Sequence, residues 1–174
     1  MIDLSTFDYL SAGNSVQKKV YKLLIKHQIM GKLAEYDPLV VGSIPLAIDV
    51  PGSDLDIICK YDNKEGFIAD LSEKFSKQES FNIYSSRIYG NPTVTADFVL
   101  EKVPFQIFGQ EIPTKMQMGF RHLLIEQKIL LDKDENFKAQ IIALKKSGLK
   151  TEPAFCRLLG FAGNPYLEIL KLET

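Results

Sequence analysis

The chain has 174 residues, 45% hydrophobic and 25% charged, with 21 Lys and Arg against 22 Asp and Glu and a net charge of −1. That composition belongs to one globular domain, long enough to bury roughly 70% of its unfolded surface without a disulfide or structural metal. Proteins that coat DNA or RNA by phosphate attraction carry a basic excess that this chain lacks, which argues against long nucleic acids as partners.

In chain order, Ser15 to Tyr36 carries Val16, Val20, Leu23, Leu24, Ile29 and Leu33 near helical spacing, with lysines between them. This predicts an amphipathic helix, capped by Asn14 or Ser15, or two helices broken near Met30-Gly31. Asp37-Pro38 stops it. Leu39–Val41 reads as a short buried strand ending at Gly42-Ser43, residues 44–53 as an irregular excursion, and Leu55–Tyr61 as the next strand. A helix is expected over Asn63–Lys77, then a strand over Phe81–Tyr89 and a turn at Gly90-Asn91-Pro92. Thr93–Leu100 and Val103–Phe108 are β-like runs separated by Glu101-Lys102.

From Thr114 onward the pattern is helical: Met116–Leu131, Phe137–Lys146 with Gly148 just beyond its end, Glu152–Leu159 and Pro165–Leu172. The fold class is therefore α+β, a mixed sheet packed against helices with a helical C-terminal part. The division expected is a core over residues 1–113 and a helical subregion over 114–174 packed on it. No apolar run approaches the ~20 residues of a transmembrane helix, and the N-terminus lacks a basic segment, so no membrane partner and a cytoplasmic location are expected. Cys59 and Cys156, far apart and outside any CxxC, read as buried free thiols.

One stretch combines several chemical features: Gly42-Ser43, then ten residues, then Asp54-Leu55-Asp56. Glycine lets a phosphate approach the backbone, and serine adds a hydroxyl donor. On a strand, residues two apart share a face with ~6–7 Å between Cα atoms, so both carboxylates project together while Leu55 enters the core. At 4–6 Å and an effective dielectric of ~20 they repel by about 3–4 kcal/mol, and a divalent cation reverses the sign. Mg2+ takes one or two carboxylates plus phosphate oxygens. Asp49 in the excursion reads as a solvated turn residue. His122 and Glu126, four apart on the long helix, are placed to hydrogen-bond each other. Lys150 and Arg157, either side of Thr151-Glu152-Pro153, read as helix-capping residues, with contact to a triphosphate as the other possibility.

Gly42-Ser43 followed at this spacing by Asp54-Leu55-Asp56-Ile57 resembles the signature of the polymerase-beta-like nucleotidyltransferase superfamily. Further stretches, Phe108-Gly109-Gln110, Arg121–Leu131 and Gly148–Phe155, resemble an uncharacterised bacterial family of nucleotidyltransferase-like proteins. The resemblance implies a Mg2+ (or Mn2+) cofactor on Asp54 and Asp56 and a nucleoside triphosphate held at Gly42, Ser43 and Ser53. It implies transfer of a nucleoside monophosphate to an unknown hydroxyl acceptor, and a third carboxylate on a later strand. Two frames offer that position: Phe105-Gln106-Ile107, where the residue is an amide, and Ala96-Asp97-Phe98, which keeps the acid. If Glu101-Lys102 forms a two-residue hairpin loop, Asp97 faces Gln106 across the strands and serves as third metal ligand and catalytic group, although Glu-Lys is a poor tight turn. The alternative is a catalytically weakened module of the same fold that binds nucleotide or a protein partner.

Overall fold

Asn14 opens the first helix by a reciprocal cap: its side-chain oxygen accepts the Gln17 N–H at 2.9 Å, and the Gln17 side-chain oxygen accepts the Asn14 N–H at 2.9 Å. This detail and those that follow come from a computed structural model that describes residues 2–173. Helix α1 (Ser15–Lys26) does not run on to Met30-Gly31, because Gln28 adopts a left-handed conformation (φ 52°) that ends it early; a single turn, α2 (Ile29–Lys32), follows.

The remaining strands and α-helices are β1 (Leu39–Val41), β2 (Leu55–Lys60), α3 (Lys64–Phe75), β3 (Glu79–Ile88), β4 (Asn91–Leu100), β5 (Val103–Gln110), α4 (Met118–Asp132), α5 (Glu135–Lys146), α6 (Thr151–Leu159) and α7 (Pro165–Leu170). The five strands lie in the order β1-β2-β5-β4-β3. Strands β2 and β5 run parallel and the other neighbours antiparallel. The expected α+β class holds.

Two tight turns set the register. Tyr89 and Gly90, both at positive φ, connect β3 to β4, so β4 starts at Asn91, two residues earlier than the Gly90-Asn91-Pro92 pattern predicts. Glu101 and Lys102, at φ 48° and 67°, connect β4 to β5. The strands close as the two-residue loop requires, with Leu100 opposite Val103, Phe98 opposite Phe105 and Asp97 opposite Gln106. The apolar alternation of the flanking strands overrides an unfavourable turn sequence. The Glu101 carboxylate adds a tether by accepting from Lys26 Nζ at 2.6 Å, and it lies 2.9 Å from His27 Nε2.

Strand alternation sends Leu55, Ile57, Cys59, Ala96, Phe98, Phe105 and Ile107 to one face, where they pack with α1, α2 and α3. Three rings, Phe75, Phe98 and Phe105, stack there with centroids 5.0 and 5.3 Å apart. Leu39, Val41 and Ile58 face the other way and pack under α4 to α7 against Leu123, Ile141, Phe155 and Ile169. Asp56, Gln106 and Asp97 lie on this second face. Both cysteines are buried and free. Among the described residues, no helix is long and apolar enough to cross a membrane.

Candidate functional site

The site begins where β1 ends. Gly42 turns the chain at φ 85°, and a Cβ at this position would run into the Asp56 carboxylate, so both the backbone conformation and the close approach require glycine. The excursion that follows is held from outside and inside. Gln17 Nε2 of α1 donates to the carbonyls of Ile44 (2.9 Å) and Pro45 (3.1 Å). The Ile48 N–H donates to the Ser43 carbonyl at 3.1 Å. Ser53 closes the last turn: its Oγ accepts the Val50 N–H at 2.9 Å. The chain is thereby aimed so that Asp54 and Asp56 leave the sheet on the same side, both partly exposed, while Leu55 is fully buried.

A polar row crosses the sheet. Val41 pairs with Asp56, Asp56 with Gln106, and Gln106 with Asp97. Gln106 Nε2 donates to Asp97 Oδ1 at 2.9 Å. That bond fixes the amide and leaves its carbonyl oxygen without a bond to Asp97. Gly42, Ser43, Ser53, Asp54, Asp56 and Gln106 all line one cleft; Asp97 does not, and it reaches the cleft through Gln106. With strands spaced ~4.8 Å, the backbone of Asp97 stands two spacings from that of Asp56. Among the described residues, no three His, Cys, Asp or Glu side chains gather as a metal-holding group. The donors present are two carboxylates and an amide oxygen, all hard oxygens, which suits Mg2+ completed by phosphate or water.

Asp56 carries the electrostatic signature of the site. Burial, and next the neighbouring Asp54 charge, push its carboxyl up to about 8; Lys150 and Lys145 pull the other way, and Glu152 adds to the rise. An approaching cation would restore the carboxylate.

The cleft has a volume of about 770 Å³, within the range of small-ligand pockets. The sheet forms its floor. Its far wall comes from α4, the α5–α6 junction and α7, and it holds residues that sequence reasoning placed elsewhere. His122 does not bond Glu126. Its Nε2 lies 2.8 Å from the Tyr166 carbonyl and its Nδ1 lies 3.2 Å from Glu152 Oε1. Glu126 is 2% exposed, and its Oε1 meets no hydrogen-bond partner among the described residues. Burial first, then the Glu152 charge, hold its carboxyl well above the usual range against the pull of Lys145. Lys145, also buried, donates to Thr151 Oγ1 at 2.8 Å, and burial lowers its ammonium despite the surrounding acids. Lys150 sits at the N-terminus of α6, and its side chain caps nothing. The signal that could have found this wall is the presence of His122, Glu126 and Lys145 inside otherwise apolar helical patterns.

Three solved structures share this architecture. The Cid1 poly(U) polymerase with MgGTP bound matches at 12% identity and a TM-score of 0.53, over 74% of this chain and 41% of that one. The polymerase core of TRAMP, an RNA surveillance complex, matches at 14% and 0.51, over 93% and 50%. The GLD-2/RNP-8 complex matches at 12% and 0.53, over 88% and 61%. The chain thus spans less than two thirds of each of these proteins, and at such identities the likeness establishes a nucleotidyltransferase fold. No curated protein matches the sequence. A family model described as a domain of unknown function, DUF4269, matches residues 22–172, nearly the whole chain including the Gly42 turn, both aspartates and the helical wall, and the chain belongs to that family.

Proposed function

We propose that the chain binds a nucleoside triphosphate with Mg2+ or Mn2+ in this cleft and transfers the nucleoside monophosphate to a hydroxyl acceptor, releasing pyrophosphate. The observation that carries the reading is the side-chain-free Gly42 turn set against the Asp56 carboxylate, with Asp54 on the same side. The backbone at Gly42 and the hydroxyls of Ser43 and Ser53 would receive the terminal phosphates, and Asp54 and Asp56 would hold the metal. A bound divalent cation neutralises phosphate charge and favours in-line displacement at the α-phosphorus. Gln106, oriented by Asp97, would offer its carbonyl oxygen to the same centre. The Cid1 neighbour, matched with MgGTP bound, supports the nucleotide half of this reading.

The test is a panel of ATP, GTP, CTP and UTP with Mg2+ or Mn2+, read by melting temperature and pyrophosphate release. One nucleotide should raise the melting temperature only with metal; ligand at about 100 times its Kd adds ~2.7 kcal/mol. Asp54→Ala and Asp56→Asn should abolish the shift. A flat panel at saturating metal overturns the proposal.

A second reading keeps binding without turnover. It is favoured by Gln106 standing between Asp56 and Asp97, where an amide supplies no negative charge. Metal-dependent binding with no pyrophosphate from any acceptor would select it.

A further inference from the structure

The helical wall contains a proton-holding pair. His122 Nε2 faces the Tyr166 carbonyl at 2.8 Å, and a carbonyl only accepts, so Nε2 carries a hydrogen. The other nitrogen, Nδ1, faces Glu152 Oε1 at 3.2 Å. Two lone pairs do not meet at that distance without a proton between them, so His122 and Glu152 share one. Glu152 Oε2 takes no hydrogen bond among the described residues, and Glu152 lines the same cleft as Asp54 and Asp56. Glu152 sits in the first turn of α6, where the helix dipole favours a carboxylate.

We infer that Glu152, oriented by His122, is the base that takes the proton from the acceptor hydroxyl, in place of the third strand carboxylate that Gln106 does not provide. The inference rests on the nucleotidyl-transfer reading. With the shared proton on His122, Glu152 is a carboxylate that lines the cleft and whose second oxygen takes no hydrogen bond among the described residues. The acceptor O–H gives its proton to that oxygen as the acceptor oxygen bonds to the α-phosphorus. The bond from the α-phosphorus to the bridging oxygen breaks, and its electron pair leaves on pyrophosphate.

The other groups around Glu152 fit this assignment. Asp54, just before β2, and Asp56 within it line the same cleft, where a bound cation would hold both charges. Glu126 of α4 is buried, its carboxyl held well above the usual range by that burial. Lys145 of α5 is occupied by Thr151 Oγ1, and Lys150 and Tyr166 flank the opening. Here His122 is a positioning residue and Glu152 a catalytic one.

The test uses the full chain with Glu152→Gln, Glu152→Asp and His122→Asn, the nucleotide that most stabilises the wild type, and water or glycerol as hydroxyl probes. Glu152→Gln should keep the metal-dependent melting shift and lose at least about 100-fold in pyrophosphate release, the usual scale for a general base. Its pH–rate profile should flatten, and Glu152→Asp should recover part of the rate. Independently of turnover, nitrogen NMR of the imidazoles should show His122 protonated on Nε2, with the Nδ1 signal changed by Glu152→Gln; His27, the other histidine, serves as an internal control. Release by Glu152→Gln within about threefold of wild type, with nucleotide still bound, overturns the assignment alone. So does an Nδ1 signal indifferent to Glu152, an observation that survives a variant too unstable for kinetics. A wild type that binds Mg–nucleotide without releasing pyrophosphate also overturns it, whereas a wild type that binds no nucleotide removes the parent reading.

Discussion

Asp56 should make the metal-free protein less stable than it need be. Its carboxyl has an ordinary value near 4 and sits at about 8 in the fold, chiefly through burial and the Asp54 charge. A raised acid binds protons more tightly folded than unfolded. Its stabilising contribution is therefore complete below pH ~4, falls as pH rises, and is gone above ~8. At ~1.4 kcal/mol per pH unit the full span sets a ceiling on the order of 5 kcal/mol, and water entering an open cleft reduces this to about 1–3 kcal/mol. Asp56→Asn keeps the shape and removes the titration. In EDTA the variant should melt roughly 3–10 °C above wild type at pH 8, at 2–4 °C per kcal/mol for this chain length, with the gap largely closed at pH 4. Added Mg2+ should raise the wild type and leave the variant where it was. Differential scanning calorimetry at both pH values decides: an asparagine variant that melts below wild type at pH 8, or a gap that does not change with pH, refutes the electrostatic reasoning.

Three other substitutions probe different parts of the structure. Gly109→Ala places a Cβ against the buried Phe67 ring (Cζ at 2.8 Å) and Tyr61 (Cδ1 at 3.0 Å), and should cost about 1–3 kcal/mol as a lower urea midpoint with unchanged m-value; a wild-type midpoint would show that the core yields there. Lys102→Gly relieves φ 67° in the β4–β5 turn while leaving Glu101 with Lys26 and His27, and should raise stability by about 0.5–1 kcal/mol in the same titration, a loss contradicting the strain argument. Gln106→Glu adds a carboxylate between Asp56 and Asp97; isothermal calorimetry with Mg2+ alone should show tighter binding, and unchanged affinity would mean that position 106 does not address the metal.

The β4–β5 register was readable because Phe98 and Phe105, Ala96 and Ile107 alternate in and out on both strands, leaving one pairing that buries them together. The Asp54-Leu55-Asp56 geometry was readable for the same reason: period two is local. The break at Gln28 was not, since nothing in that residue favours a left-handed conformation, and packing of Ile29 and Leu33 into the core imposes it. The His122–Glu152 contact spans thirty positions, and on a helical wheel His122 points just as plausibly at Glu126. The burial of Glu126 and Lys145 was not legible either, because residue type alone says nothing of helices laid over the second face of the sheet.

The order in which the polypeptide is made has a consequence for the acidic pair. Every strand is finished by residue 110, whereas the lysines, the glutamates and the imidazole that confront those strands all come after 118. Asp56 has Asp54 beside it from the moment β2 is made, but Lys145, Lys150 and Glu152, the other charges that act on it, are supplied by helices from the opposite end of the sequence. Its electrostatic surroundings are therefore complete only when the last third of the polypeptide has docked.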